Sequence, residues 1–461
     1  MNAAQSGRRP GEEKRDFRLF SNRDLRKLLV PLVLEQILSG FMGIVDTMMV
    51  TRVGDTALSA VSCVDAINTL LFYLLSALAN GGTIVCSQYL GRKDRASAER
   101  AGAQVFLVSF SLSTALTVLF LIFRAGLLSL IFGQVEPVIM TQALQYFRIT
   151  ALSYPFLALA QTSAAQFRAA GNARLPMLTA LGANLINVGG NAWLIFGCGL
   201  GVTGAALATL ASRVVQAVVL LAFQHRSDQV IPFRNYRTIR PDRALIGMIC
   251  RVAVPNALEY SLFQLGRLLV QSTVATLCTT LIAAQAMTAL LDGIQSMPGM
   301  AVGAGLLTVA GRCMGANRPE EARYYTRKLC VIGWVLVLAF SGFILAITPA
   351  VTTLSGLSAP AAQATFRLLL IITVVKVLLW TPSFILPNTL RASGDAAFTA
   401  AVASLSMWIF RVGISALLCR ALGFGLEGVW IAWFLDWVCR DVCYIWRYLS
   451  GRWTQKKVIT R

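Results

Sequence analysis

Charge is what this chain has least of. Aspartate, glutamate, lysine and arginine make up 13% of its 461 residues, where a soluble domain carries about 25%. Hydrophobic residues take 56%, and mean hydropathy is +0.66. There are too few polar groups to cover a surface in water, so a soluble fold is excluded. Histidine occurs once, as His225 in a basic stretch, which removes a histidine-rich metal centre. The ten cysteines make no CxxC pair and sit mostly in apolar runs. Cys439 and Cys443 share a helix face, a weak metal pattern, and the role of free cysteine as a small buried hydrophobe fits better. Walker A, GxSxG and HExxH sequences are all missing, which argues against ATP drive by this chain and against familiar hydrolase chemistry. A membrane enzyme would need a convergent nucleophile, metal set or cofactor motif, and none is found. The chain is therefore expected to be no enzyme and to need no cofactor. The charged N-terminal stretch lacks a small-residue cleavage site, so no cleaved signal peptide is expected. Runs such as VFLVSFSLSTALTVLFLIF do not alternate, which excludes a β-barrel.

What the chain does have is itself, twice. Pro31 and Glu35 return as Pro255 and Glu259, and Gly91 returns as Gly315. FRAAGNA at 167–173 returns as LRASGDA at 390–396, and Gly201 and Gly204 return as Gly425 and Gly428. Four anchors share one offset of 223 to 224 residues. Internal duplication in so apolar a chain is a signature of secondary transporters.

A membrane helix needs about 20 mostly apolar residues. That length gives twelve candidate spans: near 28–50, 63–90, 102–124, 142–167, 175–197 and 203–224, then 247–272, 282–310, 328–350, 365–390, 397–420 and 425–447. The expected fold class is an all-α polytopic membrane protein, with twelve transmembrane helices in two pseudo-symmetric six-helix lobes. The expected division is an N-terminal segment 1–27, an N-lobe 28–224, a linker 225–246, a C-lobe 247–447 and a C-terminal tail 448–461. The net charge of +20 sits in short segments between apolar runs, which is membrane topology and not a nucleic-acid surface. Of 41 basic residues, 31 fall in seven segments that share one side. By the positive-inside rule both termini are cytoplasmic, and a bacterial inner membrane and a monomer are expected. Six spans per half return the chain to its starting face, so the halves are parallel and face each other across a cleft.

Ionisable residues inside such spans are functional candidates by default. Glu35 and Asp46 are 11 residues apart in the first span, on one face and ~16 Å apart along the axis. Pro31 precedes them and is expected to kink or weaken the helix. The two carboxylates read as cation or proton sites, with an interfacial or capping role as the alternative for Glu35. Glu259 stands at the repeat position of Glu35, with Arg267 two turns further on. Lys376 lies mid-way along the tenth span, and pairing with Glu259 or with Asp292 is the structural alternative. Asp436 and Arg440, four apart, suit a helical pair. Asn184, Asn187 and Asn191 in the fifth span either glue helices or coordinate an ion.

These residues together resemble the multidrug and toxic compound extrusion (MATE) family of the multidrug/oligosaccharidyl-lipid/polysaccharide flippase superfamily. The resemblance rests on Pro31-x14-Asp46 ending in VDTMMV, on SQYLGRKD after the second span, and on the FRAAGN turn with its echo LRASGD. It implies a twelve-helix transporter that opens alternately to either side. The implied activity is export of organic cations or amphipathic drugs by antiport with Na+ or H+, the drug and the coupling cation being its small-molecule partners. It gives Asp46 the coupling cation, with Na+ there as one option. It makes Pro31 the helix bend, places Tyr146 and Asn187 in the N-lobe site, and makes Glu259 the C-lobe glutamate. Two positions depart from the pattern: Asn191 stands where many members have aspartate, and Trp380 where some have a tenth-span aspartate. The alternative is a lipid-linked oligosaccharide flippase of the same superfamily. That would favour a cationic cleft, which Arg267 and Lys376 allow and Asp46 and Glu35 oppose.

Overall fold

The computed structural model describes residues 18–133, 135–226, 229–232, 240–456 and 458–459. Residues 1–17 of the N-terminal segment, 227–228 and 233–239 of the linker, and 457, 460 and 461 of the tail lie outside the described residues. The first half opens with α1 (Asn22–Thr51), started by a capping box between Ser21 and Asp24. Next come α2 (Asp55–Gly91) and α3 (Arg95–Phe132). The Asp94 carboxylate caps α3 by accepting the Ser97 N–H at 2.9 Å, which holds it below the usual carboxylate range. The fourth span is α4 (Pro137–Leu152) and α5 (Tyr154–Ala169), divided at Ser153 ahead of Pro155. The fifth is α6 (Arg174–Asn191), running into a π-helical tract Ala192–Gly197, and the sixth is α7 (Gly201–Gln224).

The second half repeats the plan. It comprises α8 (Arg243–Val274), α9 (Thr279–Gly315) and α10 (Pro319–Leu354). The tenth span is α11 (Ala359–Phe384) with α12 (Pro387–Ser393). The eleventh is α13 (Ala396–Ser406) with π-helical tracts Met407–Ile414 and Leu417–Ala421, and the last is α14 (Gly425–Leu449). Twelve helical spans therefore stand where they were expected. Length and apolar composition alone pick out seven of them among the described residues. The others are broken, or weighted with polar and ionisable residues as in α8. Pro31 does not end α1, and Pro255 does not end α8; both sit inside continuous helix.

The repeat has a packing reason at two of its anchors. A side chain on Gly91 would collide with the backbone of Arg312 and Ala316, and one on Gly315 would collide with the backbone of Gln88. So the ends of α2 and α9 cross in contact, each glycine against the other half's helix, as a two-fold-related contact requires. The turns at Gly171 and Gly394 have φ of +90° and +101°, a left-handed conformation that costs glycine nothing.

The largest apolar core mixes both halves, with Leu29, Ile84 and Val105 packed among Ile249, Leu306 and Leu390. A second core, around Val64 and Phe147, draws only on the first half, and a third, around Val274 and Trp430, only on the second. The lobes thus share their largest core at the end that carries the basic loops; away from it the second and third cores stay separate, while Ile44 of α1 packs on a second-half cluster around Leu291 and Ile344.

Candidate functional site

Between the lobes lies a cavity of about 700 Å³. Its wall takes Glu35 and Asp46 from α1, Asn184 and Asn187 from α6, Arg213 from α7, Glu259 and Arg267 from α8, and Arg391 from α12. Aromatic and thioether groups, among them Phe72, Tyr260 and Met300, fill the space between these charges.

On the N-lobe side, Asp46 accepts a short hydrogen bond at Oδ1 from Asn191 Nδ2. Asn191 is fully buried at the point where α6 loosens into its π-helical tract, the kind of local widening that recurs at functional sites. Its Nδ2 also reaches Asn187 Oδ1 at 3.5 Å, and Asn187 donates to Thr209 Oγ1 at 3.2 Å. Asn191 Oδ1 is buried with no partner among the described residues. Asn184 is one step removed, 3.4 Å from Ser39 Oγ. Tyr146 lies next to the group, donating at 3.4 Å to Asp65 Oδ1. Asp65 also accepts from Asn68 at 2.9 Å, and Asn68 accepts the Tyr154 hydroxyl at 2.7 Å. Arg213 donates to Ser153 Oγ at 2.7 Å and is near enough to both Asp46 and Asp65 for the charges to interact. Asp46 and Arg213 line the cavity, and Asp65, which does not, is held by Tyr146 and Asn68.

The glutamates of the repeat are used alike in both halves. Glu35 faces Arg168 at 3.4 Å, and Glu259 faces Arg391 at 2.7 Å. Arg168 and Arg391 are the arginines of the FRAAGN and LRASGD turns, so two anchors of the repeat are partners in space. Lys376 lies with Asp292 and not with Glu259. Its ammonium is fully buried, 2.5 Å from Asp292 Oδ1, and donates to Ser296 Oγ and to the Asp292 carbonyl at 3.0 Å each. Neither Lys376 nor Asp292 lines the cavity. Asp436 pairs with Arg440 at 2.8 Å and with Arg411 at 2.6 Å. Arg411 also stacks over Trp433, 4.4 Å from the ring centre. Trp380 is buried and stacks on Phe384. Among the described residues, no three histidine, cysteine, aspartate or glutamate side chains gather as a metal cluster.

Sequence reasoning passed over Asp65, Arg213, Arg391 and Arg411. Arg213 had a readable signal: it is the one charged residue between 203 and 224. Asp65 stands two residues inside its expected span, where a carboxylate resembles an end cap.

A family model described as MatE matches residues 31–193 and again residues 255–417. The chain belongs to the MatE family. The two matches are themselves 224 residues apart, and each covers the first five spans of one half. Among relatives, the chain is 26% identical to an uncharacterised transporter, YisQ, of Bacillus subtilis, covering 95% of each. It is also 26% identical to a protein named "Probable multidrug resistance protein NorM" of Thermotoga maritima, covering 98% of this chain and 96% of that one. The fold matches a MOP superfamily transporter from Pyrococcus furiosus with a TM-score of 0.87 at 19% identity, covering 94% and 97% of the two chains. An outward-facing MATE transporter of the same superfamily matches with the same TM-score, identity and coverage. This MatE protein is accordingly a multi-pass membrane protein of a transporter family.

Proposed function

We propose that this MatE protein is a secondary active efflux transporter that exports organic cations or amphipathic drugs by antiport with Na+ or H+. The observation that carries the reading is Asp46, a carboxylate in the wall of the central cavity and hydrogen-bonded to Asn191. Relatives bearing multidrug resistance and multidrug export names support the substrate class. In the cycle we infer, Asp46 is charged in one state and neutralised by the coupling cation in the other; removal from water favours the neutral form of a carboxylate. Arg213 already holds a positive charge beside Asp46 and Asp65, which favours a proton over Na+ as the coupling ion. Glu259 is matched by Arg391, which favours coupling through the N-lobe. Tyr146, Asn187 and Asn191 set the position of the carboxylates. Pro31, inside α1, marks where that helix is free to bend. We take residues 28–224 and 247–447 as the moving lobes of a monomer, joined by a cytoplasmic linker 225–246. Both termini, 1–27 and 448–461, are assigned to the cytoplasmic side of a bacterial inner membrane by the distribution of basic residues.

Efflux of a cationic dye from proteoliposomes, driven separately by a pH gradient and by a Na+ gradient, tests both parts of the proposal. Asp46→Asn is expected to abolish efflux with unchanged expression; efflux at the wild-type rate would overturn the assignment.

One observation favours a second reading. The cavity wall carries Arg168, Arg213, Arg267, Arg391 and Arg440 against Glu35, Asp46 and Glu259. A basic cavity suits a lipid-linked oligosaccharide, whose linker is a phosphate. Movement of lipid-linked sugars without dye efflux would select that reading.

A further inference from the structure

A groove on the outer wall, sharing no lining residue with the central cavity, carries chemistry that transport through the cavity does not use. It lies between the first turns of α1 and the start of α6, at the face that bears the basic loops, and encloses about 590 Å³. Arg23, Arg26 and Lys27 from α1 and Arg174 from α6 line its upper end. All four are exposed, and none makes an ion pair or hydrogen bond with another described residue. The carboxylate of this turn, Asp24, is engaged in the helix cap, where Oδ2 accepts from Ser21 N–H at 3.0 Å and Ser21 Oγ at 2.7 Å.

Below the charges the groove turns apolar. Val30, Leu34 and Leu178 are 54%, 45% and 57% exposed, over the buried ring of Pro31. Positions 23, 26, 27, 30 and 34 follow helical spacing and form one stripe on α1. From Lys27 to Leu34 the stripe descends ~10 Å. Arg174 and Leu178, four apart, repeat the same order of charge and apolar surface on α6. The fold itself does not demand the cluster: at the offset of 224 the second half has Gly247, Cys250, Arg251 and Phe398.

We infer that this groove binds an anionic phospholipid, its headgroup phosphate held by Arg23, Arg26, Lys27 and Arg174 and an acyl chain laid along Val30, Leu34 and Leu178. Unpaired cations at the membrane surface attract anionic headgroups. The apolar continuation distinguishes a lipid from a free phosphate ion, which would have no use for it.

The test uses the full chain in phosphatidylcholine nanodiscs titrated with phosphatidylglycerol, with bound lipid counted by native mass spectrometry. Wild type is expected to retain phosphatidylglycerol saturably and to show no such retention of added phosphatidylcholine. Arg26→Gln or Arg174→Gln alone should weaken retention about fivefold, and the four-fold glutamine variant should abolish it. A control with the same number of charges removed elsewhere (Lys93, Arg95, Arg240 and Arg243 to Gln) should retain lipid as wild type does. If the four-fold variant does not fold, the two single variants decide the matter. Equal retention in the singles and wild type would overturn the proposal. So would inorganic phosphate displacing the lipid at comparable concentration, which would mean a simple anion site.

Discussion

At the scale of single residues, the ionisable groups of this MatE protein divide by whether a partner neutralises them. Glu259, Lys376 and Asp436 each meet an opposite charge at 2.8 Å or less. Glu35 is held more loosely, 3.4 Å from Arg168. The two glutamates are repeat-related, so the same substitution should act unequally. Glu259→Gln leaves Arg391, 13% exposed in the cavity wall, without its counter-charge, a loss of up to ~3 kcal/mol. Glu35→Gln breaks a longer pair with side chains 18% exposed, and a smaller loss is expected. Thermal unfolding of the two variants in the same detergent checks the order, and a larger drop for Glu35→Gln would contradict it. The candidates themselves were legible because a lone charge in an apolar run is conspicuous; Asp46, Glu259 and Lys376 were found that way. Their partners were less so, because pairing depends on which helices touch: the sequence offered Lys376 either Asp292 or Glu259, and nothing in it says that Glu259 meets the arginine of a turn 132 positions away.

At the scale of helices, runs of about 20 mostly apolar residues placed all twelve spans, including those less uniformly apolar than the seven that length and composition alone pick out among the described residues. What they did not disclose is the loosened backbone at Ala192–Gly197 and Met407–Ile414. The first tract is apolar throughout, and the second is apolar but for Arg411, which pairs with Asp436, so neither carries a proline that would mark it in the sequence. The asparagines of α6 were read as either packing or ion-binding groups, and the structure gives them different neighbours. Asn191 meets Asp46, Asn187 meets Thr209, and Asn184 meets Ser39. Of the paired glycines there, Gly190 lies 3.0 Å from Ala208 for an added Cβ, while Gly189 faces open space. The tightest helix crossing is that of α2 and α9. Gly315→Ala would drive a methyl group into the Gln88 backbone, which cannot move aside as a flexible side chain can. Overpacking of this kind costs typically ~1–3 kcal/mol. Gly342→Ala, in open space on α10, should by contrast leave the melting temperature unchanged or raise it. Melting curves of the two variants make the comparison, and equal stability would show that the crossing is not the constraint.

At the scale of the whole molecule, the two lobes share their largest core at one end, and the proposed export would require that end to open. If export requires the lobes to part where they now touch, a bond across the shared end must stop it. Ser87 on α2 and Gly311 on α9 supply a site: an added Cβ on Gly311 stands 3.0 Å from Ser87 Cβ. That is about half an ångström inside the usual disulfide range, a gap that a small shift of either helix absorbs. Ser87→Cys with Gly311→Cys, in a background with the native cysteines replaced, should export normally when reduced. It should lose export when oxidised and recover with dithiothreitol. Ligand binding from the opposite side should survive oxidation, because the cavity and Asp46 are untouched by the bond. A cross-linked protein that still exports at the reduced rate would mean that the lobes need not separate at this end, and the alternation would have to lie within a lobe, at α1 and its carboxylates.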